Sequence, residues 1–305
     1  MRVGYPCLNL ALNRGTNRTL RLASLGDQAR IRAVVAANIA NLEAIIRFNA
    51  EHRVRLFRLG SSFIPFASHE AFPYDWRAAH AGALRAAGAL AANSGQRLSI
   101  HPGQYTVPGS PDERIRAASL AELRYAAGLL DLLGQPDAPV VLHVGGAYGD
   151  KPAAAARFIA SLENEPDILR HLALENDERT WSAAEVADIA RALHTPMIVD
   201  TLHHRLNPGG IPLPRAIERA LPTWRSHRPK LHISSQDPAK NPGAHAHGID
   251  PADWDELLAA LDEAGAPDVD IMVESKGKEQ SLRPLGHPTI PALSSPTTAP
   301  RAGAA

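Results

Sequence analysis

Nine side chains of the kinds that bind divalent metals stand out: His101, His143, Glu175, Asp200, His203, His232, His245, His247 and Glu274. They are far apart in sequence, yet most close or sit within a short apolar run. Leu172-Ala173-Leu174 precedes Glu175, Met197-Ile198-Val199 precedes Asp200, and Ile271-Met272-Val273 precedes Glu274. A carboxylate at the end of such a run is costly to bury without a partner charge. Any one of these residues alone reads as an ordinary structural histidine or a solvated acid; the set argues for metal. Imidazole mixed with carboxylate suits zinc or manganese better than magnesium or calcium. At about four ligands per ion, some bridging, such a set suits two or three ions. Clusters of that kind activate a water and clamp the attacking and leaving oxygens of a phosphate.

The elements that must position these residues follow from periodicity. Strands are predicted at Arg2–Pro6, Arg55–Leu59, Arg97–Ile100, Val140–Val144, His171–Leu174, Pro196–Val199, Lys230–Ile233 and Val269–Val273. Helical segments lie between them. Ile31, Val34, Val35, Ile39, Leu42, Ile45 and Ile46 recur at intervals that make one helix face. Ser110, Pro111 and Glu113 read as a helix start with Gly134 as its stop, and Trp181, Ser182 and Glu185 repeat the start signal. Asp250 with Pro251 opens a further helix that Gly265 closes. The helix near Pro214–Leu221 is the weakest of the set. Strict alternation implies parallel strands joined by right-handed crossovers. Eight such units predict a single-domain (β/α)8 TIM barrel over residues 1–285. An open doubly wound sheet is the competitor, but the turn after the first strand, Pro6–Leu12, lacks its glycines. In a barrel the ligand-type residues share one rim, the C-terminal one, where active sites form. Residues 286–305, rich in Pro, Ser, Thr and Ala, are predicted to be a disordered tail.

Composition narrows the class. An apolar fraction of 45% with 21% charged residues describes a soluble globular chain. Cys7 is the one cysteine, so no internal disulfide forms, which fits a reducing cytoplasm. No apolar stretch is long enough to span a membrane, and the N-terminus does not read as a signal peptide. Lysine and arginine total 32, as do aspartate and glutamate, so there is no basic excess for nucleic acid. Bound divalent ions would add positive charge locally that this balance does not count. Fourteen histidines point the same way.

Longer motifs carry a resemblance. They are Gly4-Tyr5-Pro6, Phe57-Arg58-Leu59-Gly60-Ser61-Ser62, His101-Pro102-Gly103-Gln104-Tyr105, and Leu142-His143-Val144-Gly145-Gly146. Leu174-Glu175-Asn176-Asp177, Asp200-Thr201-Leu202-His203-His204, Lys230-Leu231-His232-Ile233-Ser234-Ser235 and His245-Ala246-His247-Gly248 complete the set. Over almost the whole barrel, as far as Lys278–Glu279, the sequence resembles the UV damage endonuclease family and, more distantly, endonuclease IV. The resemblance implies ATP-independent incision of DNA immediately 5′ to a UV photoproduct, leaving a 3′-hydroxyl. It implies three metal ions, commonly manganese, with zinc as the alternative. His101, His143 and Glu175 would hold one; Glu175, Asp200, His232 and Glu274 a second; His203, His245 and His247 the third. The implied partner is damaged double-stranded DNA, with no nucleotide cofactor, bound by a monomer in the cytoplasm at the nucleoid. Ser275 after Glu274 and the Pro-rich tail depart from the family pattern.

Further residues are candidates for contact with substrate. Arg14, Arg18 and Arg21, among Asn9, Asn13 and Asn17, stand in the first strand-to-helix loop, where they would meet phosphates. Gln104 and Tyr105 follow a Pro-Gly turn and would fill the gap left by an extruded lesion, with Tyr5 stacking from the other side. His69, in the loop after the second strand, is a candidate catalytic group beside Glu175. Lys230 is a third. It shares a strand face with His232, so its ammonium is expected to be displaced, deprotonated, converted to a carbamate, or paired with a carboxylate. Two other functions fit part of the pattern: a metal-dependent sugar isomerase or epimerase, and a metal-dependent scaffold that binds damaged DNA without cutting. A third histidine-rich site and the Gln104–Tyr105 loop count against the first; a complete, water-accessible cluster is more than the second needs.

Overall fold

The structure, a computed structural model, describes residues 1–266 and 268–293. Eight parallel strands form the barrel: β1 (Arg2–Pro6), β2 (Leu56–Leu59), β3 (Arg97–Ile100), β4 (Val140–His143), β5 (Leu172–Glu175), β6 (Met197–Ile198), β7 (Lys230–Ile233) and β8 (Asp270–Val273). All eight fall within a residue of their predicted limits. The strands pair in chain order, and β8 returns to β1 through Arg2↔Asp270. Between β6 and β7 the seam is thin. It is closed by the bridge Asp200↔His232 and by the His232 N–H donating to the Val199 carbonyl at 3.0 Å. A two-residue ribbon, Leu8–Asn9 against Arg14–Gly15, decorates the first loop.

The helices α1 (Gln28–Glu51), α2 (Trp76–Asn93), α3 (Glu113–Leu132) and α4 (Lys151–Leu162) follow the first four strands. After these come α5 (Pro166–Leu169), α6 (Ala183–Leu193), α7 (Thr201–Leu206), α8 (Leu213–Ala220) and α9 (Pro251–Glu263). Their starts follow the chemistry of orphaned N–H groups. Ser182 and Glu185 make the predicted reciprocal cap on α6. On α3 the cap is Asp112, whose carboxylate accepts from Arg114 and Ile115; Ser110 instead accepts from the Asp112 N–H. Gly134 and Gly265 take positive φ values of 61° and 58° after α3 and α9, as a helix stop requires.

Alternate residues of each strand face opposite ways. Val3, Tyr5, Phe57, Leu59, Leu98, Ile100, Val140 and Leu142 belong to the main apolar cluster with the helices. The other parity faces the barrel interior. There Val141, Ala173 and Ile198 pack on Trp224, which comes from the turn after α8. Sequence periodicity did not single out Trp224.

The tail boundary differs from expectation. Residues 286–293 dock: Ile290 is 1% exposed, its carbonyl accepts from Arg283, and His287 is 3.2 Å from the His52 carbonyl. One buried isoleucine outweighs an otherwise polar and Pro-rich composition. The remainder of the predicted disordered tail, 294–305, lies outside the described residues.

Candidate metal centre

The interior parity of successive strands reads Ser99-His101, Val141-His143, Ala173-Glu175, Ile198-Asp200, Lys230-His232 and Met272-Glu274. Each ligand-type residue therefore turns inward at the C-terminal end of its strand. Glu175, wholly buried, is the hub. Its Oε2 lies 3.1 Å from His101 Nε2 and 3.4 Å from His143 Nε2, and its Oε1 lies 2.7 Å from His232 Nδ1. His232 Nδ1 also stands 2.9 Å from Glu274 Oε1. Three groups have ligand atoms within 4.8 Å of one another: His101–His143–Glu175, Glu175–Asp200–His203 and Glu175–His232–Glu274. Glu175 belongs to all three.

The expected third site is less complete. The His203 ring lies 6.5 Å from that of His245, while its Nδ1 is 3.0 Å from the Asn176 carbonyl and 3.8 Å from Asp200 Oδ1. His247 is exposed beside Gly277, and neither His245 nor His247 joins a three-residue group among the described residues. Within this loop His245 pairs with Gln236 as an isolated antiparallel bridge.

Electrostatics make the hub a tightly balanced set. Burial would raise the Glu175 carboxyl, but His232 and His143 hold it well below the usual carboxylate range. Glu274 behaves likewise, with burial opposed by Arg58 and His232. Burial lowers His101. For His203 burial is outweighed by Asp200, Glu175 and Glu274, which raise it to about 9. Of the eleven buried side-chain atoms without a hydrogen-bond partner among the described residues, two belong to ligand-type residues of the hub, Asp200 Oδ2 and His232 Nε2. Both are lone-pair donors to a metal when deprotonated, and native interiors leave few such atoms unsatisfied without reason. The donor set therefore fits divalent cations.

Several supporting residues had little sequence signal. Arg58, buried, pairs with Glu274. Asn176 brackets Asp200: its side chain accepts from the Asp200 N–H and donates to the Asp200 carbonyl. Glu279, buried, accepts from the N–H groups of Leu10 and Ala11 and fixes the first loop. The one usable signal was Arg58, a charge inside an apolar strand. Lys230 is buried, and its Nζ donates to Ser99 Oγ at 2.8 Å. No carboxylate pairs with it among the described residues. Burial, with Arg97 and Arg58 nearby, lowers it to about 7.

Among the candidate contacts, Gln104 and Tyr105 project, the latter 83% exposed. Arg14, Arg18 and Arg21 are exposed, with Arg14 donating to Asn41. His69 is exposed and lines a hollow of about 630 Å³ with Ser61, Tyr105 and Glu122; it joins none of the three ligand groups. Two expectations are corrected. Tyr5 is fully buried, faces α1, and packs edge-on against Phe57, its hydroxyl donating to Asn49 and accepting from Asn9. It presents no ring to a base. Asn9 is buried with it and also accepts from the Leu12 N–H, so it shapes the loop from within.

Fold and site together define a TIM barrel whose C-terminal rim gathers three overlapping groups of residues that could hold metal ions. The UV-endonuclease UvdE family model matches residues 1–294, and the chain belongs to that family. A UV DNA damage endonuclease of Clostridium perfringens is 32% identical over 92% of this chain and 69% of its own length. One from Bacillus cereus is 32% identical over 92% of both chains. The solved structure of SacUVDE superposes with a TM-score of 0.87 at 33% identity, covering 94% of this chain and 99% of that one. Endonuclease IV from Thermus thermophilus matches at TM-score 0.57 and 16% identity over 90% of this chain and 92% of that one, a likeness of fold. A D-psicose 3-epimerase matches at TM-score 0.55 and 18% identity over 76% of this chain and 78% of that one, again fold alone.

Proposed function

We propose that this protein is a metal-dependent endonuclease that incises DNA immediately 5′ to UV photoproducts and leaves a 3′-hydroxyl, without ATP. The observation that carries the reading is Glu175, one buried carboxylate shared by three ligand groups on the rim. Family membership supplies the substrate class.

His101, His143 and Glu175 would hold one ion, and Glu175, Asp200, His232 and Glu274 a second. A third, at His203 with His245 and His247, requires the loop after β7 to close further. Bound divalent ions, manganese foremost, would supply a water activated for attack and would neutralise charge developing on the phosphate. The chain does the rest. Arg58 holds Glu274 in place, and Asn176 fixes the backbone of Asp200. Gln104 and Tyr105, exposed on the loop after β3, would fill the gap left by a displaced lesion, and the exposed Arg14 and Arg18 would meet phosphates. Lys230, whose amine is easily deprotonated, is suited to take up carbon dioxide as a carbamate, adding negative charge below the cluster. We place the enzyme in the cytoplasm at the nucleoid, as a monomer.

The test is incubation with manganese and supercoiled plasmid, irradiated or intact, beside a ketose control. Nicking confined to irradiated plasmid, with ends extended by a polymerase without trimming, is expected. Sugar turnover, or gel retardation without nicking, would overturn the reading. Intact mass in mild buffer tests the carbamate, which adds the mass of carbon dioxide and is lost in the Lys230→Met variant.

A further inference from the structure

Of four tryptophans, five tyrosines and six phenylalanines, only Tyr105 and Tyr148 are exposed, at 83% and 47%. Both stand on the rim that carries the metal centre, on the loops after β3 and β4. Tyr148 lies five residues beyond His143 in the run Gly145-Gly146-Ala147-Tyr148-Gly149.

That loop is built with care around an exposed ring. Gly145, Tyr148 and Gly149 take positive φ values of 94°, 53° and 81°. The glycines adopt such values freely, but a tyrosine does so at a cost in stability. The Trp181 indole N–H donates to the Gly145 carbonyl at 2.6 Å, anchoring the loop to the one after β5. Gly145 also abuts the loop that carries Tyr105, because a Cβ there would stand 3.0 Å from Val107 Cγ1. A Cβ on Gly146 would stand 3.2 Å from Tyr148 Cζ, so the ring lies over the glycine. The Arg157 guanidinium is 5.7 Å from the ring centroid, and Arg157 Nε donates to the Gly109 carbonyl. The Tyr148 hydroxyl makes no hydrogen bond among the described residues, so it does not explain the strained backbone.

We propose that Tyr148 is a second base-stacking residue, presenting its ring to an unstacked nucleobase beside the site served by Gln104 and Tyr105. This rests on the reading of the site as DNA-cleaving and deepens it. Every base has a π-face, so such a platform accepts any base displaced from the helix. Two rings on adjacent, mutually packed loops suit a lesion of two linked bases, whose extrusion unstacks more than one nucleotide. Arg157, with its guanidinium 5.7 Å from the ring centroid, would brace the ring and add a cation near the DNA backbone.

Two variants test it, Tyr148→Leu and Tyr148→Phe, each checked for metal content and melting temperature. They are read by incision kinetics on an irradiated duplex and by anisotropy with a labelled single-stranded oligodeoxythymidylate. Tyr148→Leu is expected to weaken oligonucleotide binding and raise KM roughly tenfold, the equivalent of about 1.4 kcal/mol, with kcat unchanged. Tyr148→Phe is expected to match the parent protein. A duplex with abasic residues opposite the lesion identifies the base. If the Tyr148→Leu defect vanishes there, the ring stacks on the orphaned strand; if it persists, on the lesion strand. Wild-type affinity in Tyr148→Leu, or an equal loss in Tyr148→Phe, overturns the proposal. The oligonucleotide arm does not depend on lesion recognition. A protein that binds it through Tyr148 yet ignores irradiation would sink the proposed function alone.

Discussion

The two ends of the barrel interior both bury charge, and they do so on opposite principles. At the N-terminal end Asp270, fully buried, meets cations only. Arg2 donates to it twice, at 2.6 and 2.7 Å, and Arg97 and Arg228 lie 3.1 and 3.0 Å away. Arg2 and Arg228 keep part of their side chains exposed while Arg97 is largely buried, so the cost of burial is shared by one carboxylate and one guanidinium. At the C-terminal end the order is reversed. Glu175, Asp200 and Glu274 share histidines, one arginine and each other, and Asp200 Oδ2 and His232 Nε2 are left without partners. An arginine cluster has fixed protons and one stable arrangement. Imidazoles and carboxylates exchange protons for metal. The lower end is built to stay, the upper end to bind.

Breaking each end should therefore give opposite results. The largest effect is expected at the hub. Glu175→Gln should remove ions from all three ligand groups and abolish incision. The fold should survive, because most of the apolar cluster lies outside the barrel wall. Elemental analysis and circular dichroism check this; full metal content in the variant would remove the bridge. At the other end Asp270→Asn removes the carboxylate shared by three guanidinium groups, of which Arg97 and Arg228 keep other acceptors. It should cost roughly 3 kcal/mol, the low end for breaking a buried pair, since Arg2 and Arg228 are partly hydrated. Incision per folded molecule should be unchanged. A loss of metal in Asp270→Asn would show that the two ends are coupled.

The contrast also explains what was legible in the sequence. The ends of the predicted strands placed the upper cluster, because a barrel gathers ligand-type residues that close apolar runs on one rim, and the strand parity of the structure agrees, each ligand standing two residues beyond an interior residue. The same parity would have placed Tyr5, which shares the face of Val3 and packs on the helices. Its motif, Gly4-Tyr5-Pro6, suggested a rim residue, but β1 carries no ligand to mark which face is inward. Loops have no period, so the reach of His245 and His247 was beyond pattern reading, as was that of His203 on the short helix α7. Asn176 and Glu279 act through backbone groups far away in sequence, which no spacing reveals. The lower cluster was missed for the same reason: Arg2, Arg97, Arg228 and Asp270 look like four surface charges until the barrel closes.

A moderate effect is expected where the tail closes over the outside of the barrel. Truncation after Leu285 removes Ile290, whose burial contributes roughly 1.5–3 kcal/mol. Truncation after Leu293 keeps that contact. Only the shorter protein should melt lower, and both should incise alike once folded. Equal melting temperatures would show that the docked segment adds nothing and would restore the boundary expected from composition.

The smallest effect concerns Lys230, which sits between the two ends. Its ammonium is held by one hydroxyl, that of Ser99, with Arg97 below and Arg58 above. Burial and those two cations bring it from the ordinary 10.5 to about 7. Between these values the unfolded chain binds the proton and the folded chain does not, so stability rises with pH across that window. Below about pH 7 both states are protonated and the full penalty of burying the charge remains. Replacing Lys230 with methionine, of similar volume, removes that penalty. In the metal-free protein Lys230→Met should thus be more stable than the parent near pH 6, by roughly 1 kcal/mol once the stranded Ser99 hydroxyl is counted. The gap should close toward pH 10. His203 works in the opposite sense: raised to about 9, it adds stability that is lost as pH climbs through that value. It is present in both proteins, so it cancels in the difference. Urea unfolding at a series of pH values measures the gap. A gap that widens with pH would mean that Lys230 is held as a cation by a partner, like the arginines below it. A gap that closes would place it with the upper end, among groups kept for what they bind and at some expense of stability.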